Sequence, residues 1–374
     1  MSRLSRLVFG DIAVNGDDAW VCGVFYSALF HIDLRTLEIS FLTILPARNI
    51  FGFNCYERLA YWNGKLIIAP NNSERILIYS IKENKISEIA LPLELDIRQG
   101  QLFKSIFLYN NYAYMFPGLS QMVVKLDLFT NNIDCISIDL NVKQLNENNI
   151  GGIQFYEGVL AQKEKGVVYF PCLNTGFIMR FDMNCDGYSI YSIDGAKNIV
   201  SVNCTGEDFI ISESNSTKMY IWDGLNKVED FIIRKENYVS NTGMRKIFKY
   251  SNFIYFIPIM GNMILKMDCK NNSVSCFKQI PYDFSEKLRD LNWGENKNFI
   301  CCKMISDNTL ICYSVYDGKL VKLNFATGKT IEKDAIVNET DLKIIKKEVV
   351  KNGLGMILEE ERGFSLDDII IAVQ

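Results

Sequence analysis

The feature that most constrains the fold is an internal repeat of two short apolar segments separated by a turn. The clearest copy pairs IIAP at 67–70 with RILIYS at 75–80. Close matches are YMFP at 114–117 with MVVKLD at 122–127, VYFP at 168–171 with FIMRFD at 177–182, and YFIP at 255–258 with MILKMD at 263–268. Weaker matches are WVC at 20–22 with LFHID at 29–33, FIIS at 209–212 with MYIWD at 219–223, and LICYS at 310–314 with LVKLN at 320–324. The chain therefore contains seven units.

The spacing inside the unit is nearly constant. Each first segment ends at a first anchor, and each second segment ends at a second anchor 10 or 11 residues later. The first anchors are Cys22, Pro70, Pro117, Pro171, Ser212, Pro258 and Ser314. The second anchors are Asp33, Ser80, Asp127, Asp182, Asp223, Asp268 and Asn324. Seven positions before each first anchor is a polar turn residue: Asn15, Asn63, Asn110, Glu164, Thr205, Ser251 or Asp307.

Turns at these points divide each unit into four short strands rich in β-branched and aromatic residues, which is the pattern of a meander. A period of about 40 to 50 residues with several strands is typical of a propeller blade. The sequence predicts an all-β fold, a seven-bladed β-propeller of four-stranded blades in residues 1–337, followed by a partly helical C-terminal tail at 338–374. The predicted blades are about 7–45, 57–92, 103–140, 153–194, 198–233, 244–280 and 297–335, with insertions at 141–152 and 281–296.

Two features of the unit have a local physical explanation. A short carboxylate just after the third strand can accept hydrogen bonds from backbone N–H groups in the following turn, so we assign the second anchors a structural role. Glycines precede most inner strands, where crowding towards a central axis would exclude a Cβ atom. They are Gly10, Gly52, Gly100, Gly152, Gly195, Gly243 and Gly294.

The units resemble the kelch-like group of propellers. The resemblance rests on KLDLFTN at 125–131, HIDLRT at 31–36 and KLNFATG at 322–328, in which a hydrophobic-x-hydrophobic-Asp strand leads into a Thr/Asn/Gly turn. It covers nearly the whole chain and concerns architecture. The family's Gly-Gly doublet is replaced by Pro or Ser at most first anchors. The resemblance implies a binding platform, with catalysis as the less common alternative.

Composition narrows the class of protein further. With 48% hydrophobic residues and 7 Pro in 374, the chain has no mark of disorder. The net charge of -4 argues against nucleic acid as a partner. We find no signal peptide or membrane span in the sequence and expect no contact with a membrane. The 11 cysteines include no C-x-x-C pair, so we expect reduced thiols, a cytoplasmic location, and neither a metal nor another cofactor.

Catalysis has little support in the sequence. His31 is the only histidine, and it occupies a repeat position filled elsewhere by Ile, Lys or Arg, which disfavours Ser-His-Asp and Cys-His mechanisms. A carboxylate pair could still make the protein a hydrolase or lyase acting on a carbohydrate-like substrate. Acids near the starts of inner strands are the candidates: Asp11, Glu57, Glu157, Asp283, Asp290 and Glu295.

The favoured function is a non-catalytic binding or scaffolding module. Loops that enter the inner strands, and loops between second and third strands, open on one face of a propeller. Aromatic, Arg and amide side chains there suit a protein, peptide or glycan ligand. The candidate binding residues are Phe25, Tyr26, Arg48, Tyr56, Arg75, Arg98, Gln101, Asn174 and Trp293. Alternatively, Phe51, Phe53 and Trp293 plug the channel or pack between blades.

The tail differs from the blades. Thr340 and Asp341 are predicted to cap a helix that carries Leu342, Ile345 and Val349, and a second helix is predicted after Ser365. Such an apolar tail is expected to dock on its own domain. The alternative is self-association or a partner contact, which would make the chain a structural subunit assembled through its tail.

Overall fold

Seven four-stranded antiparallel sheets follow one another along the chain, and each pairs its strands in sequence order. They form a seven-bladed propeller ring, which confirms the predicted fold. The computed structural model describes residues 7–24, 27–46, 55–92, 95, 102–118, 120–138, 155–173, 175–214, 216–226, 228–236, 238, 243–259, 261–280, 299–315 and 317–351.

The strands are short and evenly distributed. Blade 1 has β1 (Ala13–Asn15), β2 (Asp18–Cys22), β3 (Ala28–Asp33) and β4 (Glu38–Ile44). Blade 2 has β5 (Tyr56–Trp62), β6 (Lys65–Pro70), β7 (Arg75–Ser80) and β8 (Lys85–Ala90). Blade 3 has β9 (Phe103–Tyr109), β10 (Tyr112–Pro117), β11 (Met122–Asp127) and β12 (Ile133–Ser137). Blade 4 has β13 (Val159–Leu160), β14 (Val167–Pro171), β15 (Phe177–Asp182) and β16 (Gly187–Ser192).

The second half of the ring repeats this arrangement. Blade 5 has β17 (Ile199–Cys204), β18 (Phe209–Glu213), β19 (Lys218–Trp222) and β20 (Val228–Ile232). Blade 6 has β21 (Met244–Tyr250), β22 (Phe253–Pro258), β23 (Met263–Asp268) and β24 (Val274–Gln279). Blade 7 has β25 (Phe299–Ser306), β26 (Thr309–Ser314), β27 (Lys319–Asn324) and β28 (Thr330–Asp334). Helix α1 (Glu339–Lys351) follows the last blade.

The second anchors have the turn-capping role that the sequence predicts. Asp127 Oδ1 accepts hydrogen bonds from the backbone N–H groups of Phe129 at 2.8 Å and Thr130 at 3.0 Å. Equivalent bonds to backbone N–H groups are made by the side chains of Asp33, Asp182, Asp223, Asp268 and Asn324. These bonds favour the ionised carboxylate, and with the Arg35 guanidinium they lower the pKa of Asp33 to about 2.

Replacing Asp127 by Ala should therefore lower the free energy of unfolding, because two turn N–H groups lose their acceptor. The matched control is Asp134→Ala on the exposed face of β12 in the same blade, which should leave the free energy of unfolding nearly unchanged. Urea denaturation of the two variants measures the difference. Equal stabilities would contradict a structural role for the second anchor.

Apolar side chains from adjacent blades fill the space between them. Phe116 of blade 3 illustrates this packing, since its ring lies 4.4 Å from that of Phe170 and 5.1 Å from that of Phe181 in blade 4, measured between centroids. Alternate residues of the two central strands point into such interfaces, so these strands are almost wholly buried. Each blade therefore contributes to two interblade cores.

The ring closes where the first and last blades meet. The Leu7 N–H donates to the Ala335 carbonyl at 2.8 Å, and the Lys322 ammonium donates to the Leu34 carbonyl at 2.9 Å. One apolar cluster combines residues of both blades with Ile345 of α1, which is 1% exposed. Helix α1 also lies against β4, where Asp341 Oδ2 accepts a hydrogen bond from the Phe41 N–H. The described part of the tail thus docks on its own domain.

The cap of α1 differs from the prediction. Asn338 caps the helix, because its Oδ1 accepts a hydrogen bond from the Asp341 N–H at 2.9 Å and its side-chain amide donates to the Asp341 carboxylate at 2.7 Å. The predicted cap at Thr340 and Asp341 is therefore wrong. Asn and Asp are both favourable cap residues, and the reciprocal bonds of Asn338 and Asp341 select the earlier position. The predicted second helix lies outside the described residues.

Two of the predicted inner-strand glycines show why a side chain is excluded. A Cβ atom at Gly243, whose φ is +81°, would lie 2.4 Å from the Glu213 carbonyl oxygen. A Cβ at Gly10 would lie 2.0 Å from Glu57 Oε1. Crowding by blade 5 backbone explains Gly243, whereas Gly10 makes room for a charged side chain of the channel.

Candidate functional site

The starts of the inner strands surround a cavity on the channel axis. This cavity has a volume of about 190 Å³ and is lined by residues of six blades. Its charged lining residues are Asp11, Arg58, Lys104, Glu157, Arg245, Lys246 and Lys303. We call these residues, together with Glu57, the channel cluster. The cavity lies at the starts of the inner strands, which is the end of the channel that the sequence favours for binding.

Glu157 is the centre of the channel cluster. Its Oε1 lies 3.0 Å from Arg58 Nη1 of blade 2 and 2.5 Å from Arg245 Nη2 of blade 6. Arg58 also donates to the Gly10 carbonyl at 3.2 Å and pairs with Glu57 at 3.2 Å, whereas Arg245 donates to the Tyr156 hydroxyl at 2.8 Å. One carboxylate of blade 4 therefore links blades on both sides of the channel.

Electrostatics keep this carboxylate ionised. Burial raises the pKa of Glu157, but the charges of Arg245 and Arg58 outweigh that effect and lower the pKa below its usual value. Both arginine side chains are more than nine-tenths buried. A general acid of a glycosidase needs the opposite shift, a raised pKa. Glu157 is thus suited to holding arginines in place.

Asp11 is also engaged by protein groups. Its Oδ1 accepts a hydrogen bond from the Ile12 N–H at 2.8 Å, and its Oδ2 accepts one from the Leu59 N–H of blade 2 at 3.4 Å. The Lys303 ammonium of blade 7 donates to the Ile12 carbonyl at 2.6 Å. These bonds attach the start of β1 to both neighbouring blades.

Lys104 and Lys246 differ from the other basic residues of the channel cluster. Neither ammonium forms a hydrogen bond or an ion pair within the described part of the chain. Burial lowers the pKa of both lysines. Glu157 opposes that shift at each of them and Glu57 opposes it at Lys104, but only in part. The site therefore retains donors that could meet an anion.

A larger cavity, of about 690 Å³, opens at the other ends of the inner strands. It is lined by Gln162, Cys204, Thr205, Gly206, Phe248, Lys249, Tyr250, Ser251, Met304, Ile305, Ser306 and Asp307. Three of these residues, Thr205, Ser251 and Asp307, are polar turn residues of the repeat. The sequence pattern predicts only a turn at each of them. The repeat alone did not show that these turns border a cavity.

Two of the predicted binding residues lie in the described structure. The Tyr56 ring is buried, and its hydroxyl donates to the Pro46 carbonyl at 2.8 Å and lies 2.9 Å from Ser73 Oγ. Arg75 is half-buried and pairs with Glu88 on the neighbouring strand at 3.3 Å. The structure does not bring these two residues into the channel cluster. Phe25, Tyr26, Arg48, Arg98, Gln101, Asn174 and Trp293 lie outside the described residues.

The acidic candidates fall into two groups. Asp11, Glu57 and Glu157 all belong to the channel cluster, whereas Asp283, Asp290 and Glu295 lie outside the described residues. Sequence reasoning missed the basic members of the cluster. A signal was available, because Arg58, Lys104 and Arg245 are charged residues at the starts of otherwise apolar inner strands.

Other chemistry finds little support in the described residues. His31 Nε2 lies 2.7 Å from Asp18 Oδ1 on the adjacent strand, and neither residue lines the channel cavity. No group of three His, Cys, Asp or Glu side chains among these residues could hold a metal ion. All 11 cysteines are described, and none forms a disulfide. No described helix has the length and apolar content needed to span a bilayer.

Comparison with known proteins supports the fold. No protein-family model matches the chain, and no curated protein matches it in sequence. Among solved structures, it is similar to the Cps50 (Swd1) β-propeller domain of Myceliophteria thermophila, with a TM-score of 0.58 and 10% identity over 86% of this chain and 97% of that one. YCF48 from Cyanidioschyzon merolae gives a TM-score of 0.57 and 10% identity over 82% and 92% of the two chains.

A third similar structure is an enzyme. An inactive variant of virginiamycin B lyase from Staphylococcus aureus, in complex with quinupristin, has a TM-score of 0.54 and 12% identity, over 78% of this chain and 87% of that one. At this level of identity a shared fold carries no activity from one protein to another. The comparisons therefore establish a seven-bladed β-propeller fold.

Proposed function

We propose that the chain is a non-catalytic binding propeller that holds an acidic group of a protein, peptide or glycan ligand at the channel mouth. This proposal rests on which charged side chains of the channel cluster are paired and which are not. Its central carboxylate is already paired with two arginines, whereas Lys104 and Lys246 line the cavity without an ion pair in the described structure. A buried cation favours a partner of opposite charge, so the site suits an anionic ligand group.

The alternatives agree less well with the described residues. A hydrolase or lyase with a carboxylate pair would need a carboxyl that can release a proton near neutral pH, and the lowered pKa of Glu157 is unsuited to that role. A structural subunit assembled through its tail would need a free helix, whereas α1 packs on blades 1 and 7. The kelch-like relationship and the cytoplasmic location remain proposals, and the free thiols support a reducing compartment.

The test is affinity capture from a lysate of the source cells, with the immobilised full chain. We expect the wild type to recover a specific ligand, and Lys104→Met/Lys246→Met to lose at least 90% of it, or roughly tenfold in affinity, as for a lost charged contact. The matched control, Lys82→Met/Lys270→Met, removes two exposed lysines and should capture as the wild type does. Equal capture by all three proteins would place the binding surface away from the channel.

A further inference from the structure

The channel cluster has an excess of positive charge. The described residues bring five basic side chains together, Arg58, Lys104, Arg245, Lys246 and Lys303. Three carboxylates accompany them, those of Asp11, Glu57 and Glu157. Among the described residues, these five cations and three anions leave two positive charges in a partly enclosed space. Uncompensated charge that is removed from water is costly, so the ligand-free channel favours an anion of about two negative charges.

The unpaired donors approach the cavity from different sides of the ring. Lys104 belongs to β9 of blade 3 and Lys246 to β21 of blade 6, and both line the cavity. Arg58 of blade 2 also lines the cavity and is 6% exposed. A compact anion with several acceptor atoms could meet all three residues, whereas a planar carboxylate has only two oxygens.

The volume of the cavity limits the size of the group. At about 190 Å³ it is smaller than the roughly 300–1,000 Å³ typical of sites that enclose a drug-sized ligand. It can admit a small ion, or one group of a larger ligand whose remainder lies on the face above. At neutral pH a phosphate monoester carries about 1.5 to 2 negative charges and three strong acceptor oxygens, which fits both the charge and the donors.

We propose that the channel cluster binds a phosphate dianion, either as the free ion or as the phosphate group of a larger ligand. This inference rests on the proposed function, because it names the ligand chemistry of the same site. Lys104 and Lys246 act as point-charge donors, and Arg58 adds positive charge at the cavity wall. Glu157 positions the Arg58 and Arg245 guanidinium groups at the cavity wall.

Binding should take up protons at alkaline pH. The free site holds the lysines with lowered pKa values, and a bound dianion favours their charged form, so the pKa of each lysine should rise on binding. Calorimetry in two buffers of different ionisation enthalpy measures this uptake. The uptake distinguishes the channel from exposed lysines, which are already largely protonated below about pH 9.

The experiment titrates the full chain calorimetrically with inorganic phosphate, phenyl phosphate or acetate at constant ionic strength. We expect one phosphate per chain, at least tenfold weaker binding by Lys104→Met/Lys246→Met, and unchanged binding by Lys82→Met/Lys270→Met. Tighter binding of phenyl phosphate than of phosphate would indicate a group of a larger ligand, and the reverse order would indicate the free ion. The inference is overturned if phosphate does not saturate a site, if acetate binds as well, or if the channel variant binds as the wild type does.

A measurement on the wild type covers the case in which the channel variant does not fold. Phosphate should protect Lys104 and Lys246 from acetylation by acetic anhydride at least threefold, and should not protect Lys82, with modification quantified by mass spectrometry. Equal labelling with and without phosphate would also overturn the inference. The proposed function is tested separately: ligand capture that depends on the channel lysines, without any phosphate binding, would retain that function and remove phosphate as its ligand chemistry.

Discussion

Replacing Glu157 by Gln should destabilise the protein by about 3–5 kcal/mol, because it leaves two buried arginines without their shared carboxylate. Arg58 and Arg245 come from blades 2 and 6, so their repulsion would act across the channel. Guanidinium chloride denaturation gives the free energy of unfolding for comparison with the wild type. We expect no larger change in the free energy of unfolding from the replacement of any other single charged residue.

The control for this substitution lies in the same blade. Glu164 pairs with Arg180 at 2.5 Å, but that arginine is 21% exposed, against 8% for Arg58 and 6% for Arg245, and the Glu164 side chain is 48% exposed, against 32% for Glu157. Glu164→Gln should therefore cost less than about 1 kcal/mol. A second variant, Arg58→Met/Glu157→Met/Arg245→Met, removes Glu157 together with both arginines and should be more stable than Glu157→Gln, since apolar groups replace the three charges together. Similar losses for Glu157→Gln and Glu164→Gln would contradict the central role of Glu157.

The effect of Glu157→Gln should depend on pH. The pKa of Glu157 is lowered in the folded state, so its contribution is fully present above the unfolded value, near 4.5, and is lost as the pH falls through the folded value. The gap in stability between wild type and Glu157→Gln should thus be constant from pH 5 to 7 and narrow below about pH 4.5. A gap that widens in acid would contradict this assignment.

The second large effect concerns the docking of the tail. Ile345 is 1% exposed and packs with residues of blades 1 and 7, so Ile345→Ala should cost about 2–4 kcal/mol. Its neighbour Ile344 is 45% exposed, and Ile344→Ala should change the stability by less than about 0.5 kcal/mol. Thermal denaturation of both variants measures the difference.

The same pair of variants tests the alternative role of the tail. If α1 docks within its own chain, the loss in Ile345→Ala will not depend on protein concentration, and the molar mass measured by light scattering will stay that of the wild type. A loss that falls with rising protein concentration would instead indicate that the helix contacts a second subunit. The contact of α1 with blades 1 and 7 would then be made between two chains and not within one chain.

The local repeat was sufficient to predict the fold. Turn residues at fixed spacing and strands of period two determine where each strand ends, and each blade needs only its neighbours to bury its two faces. Asp127 illustrates this local control, because its carboxylate bonds to N–H groups two and three residues away. Such contacts depend on adjacent residues and can be deduced from one copy of the unit.

The channel cluster depended on tertiary structure. Arg58 and Glu157 are 99 residues apart and Glu157 and Arg245 are 88 apart, and only the curvature of the closed ring brings them together. The sequence singled out Asp11, Glu57 and Glu157 as acids at inner-strand starts, but it could not show that arginines engage Glu157 or that Lys104 and Lys246 lie beside it. The effect of these charges on stability and binding depends on how deeply each side chain is buried and on the distances between them. The cap of α1 is a small example of the same limit, since Asn338 and Thr340 are both acceptable caps until packing selects one.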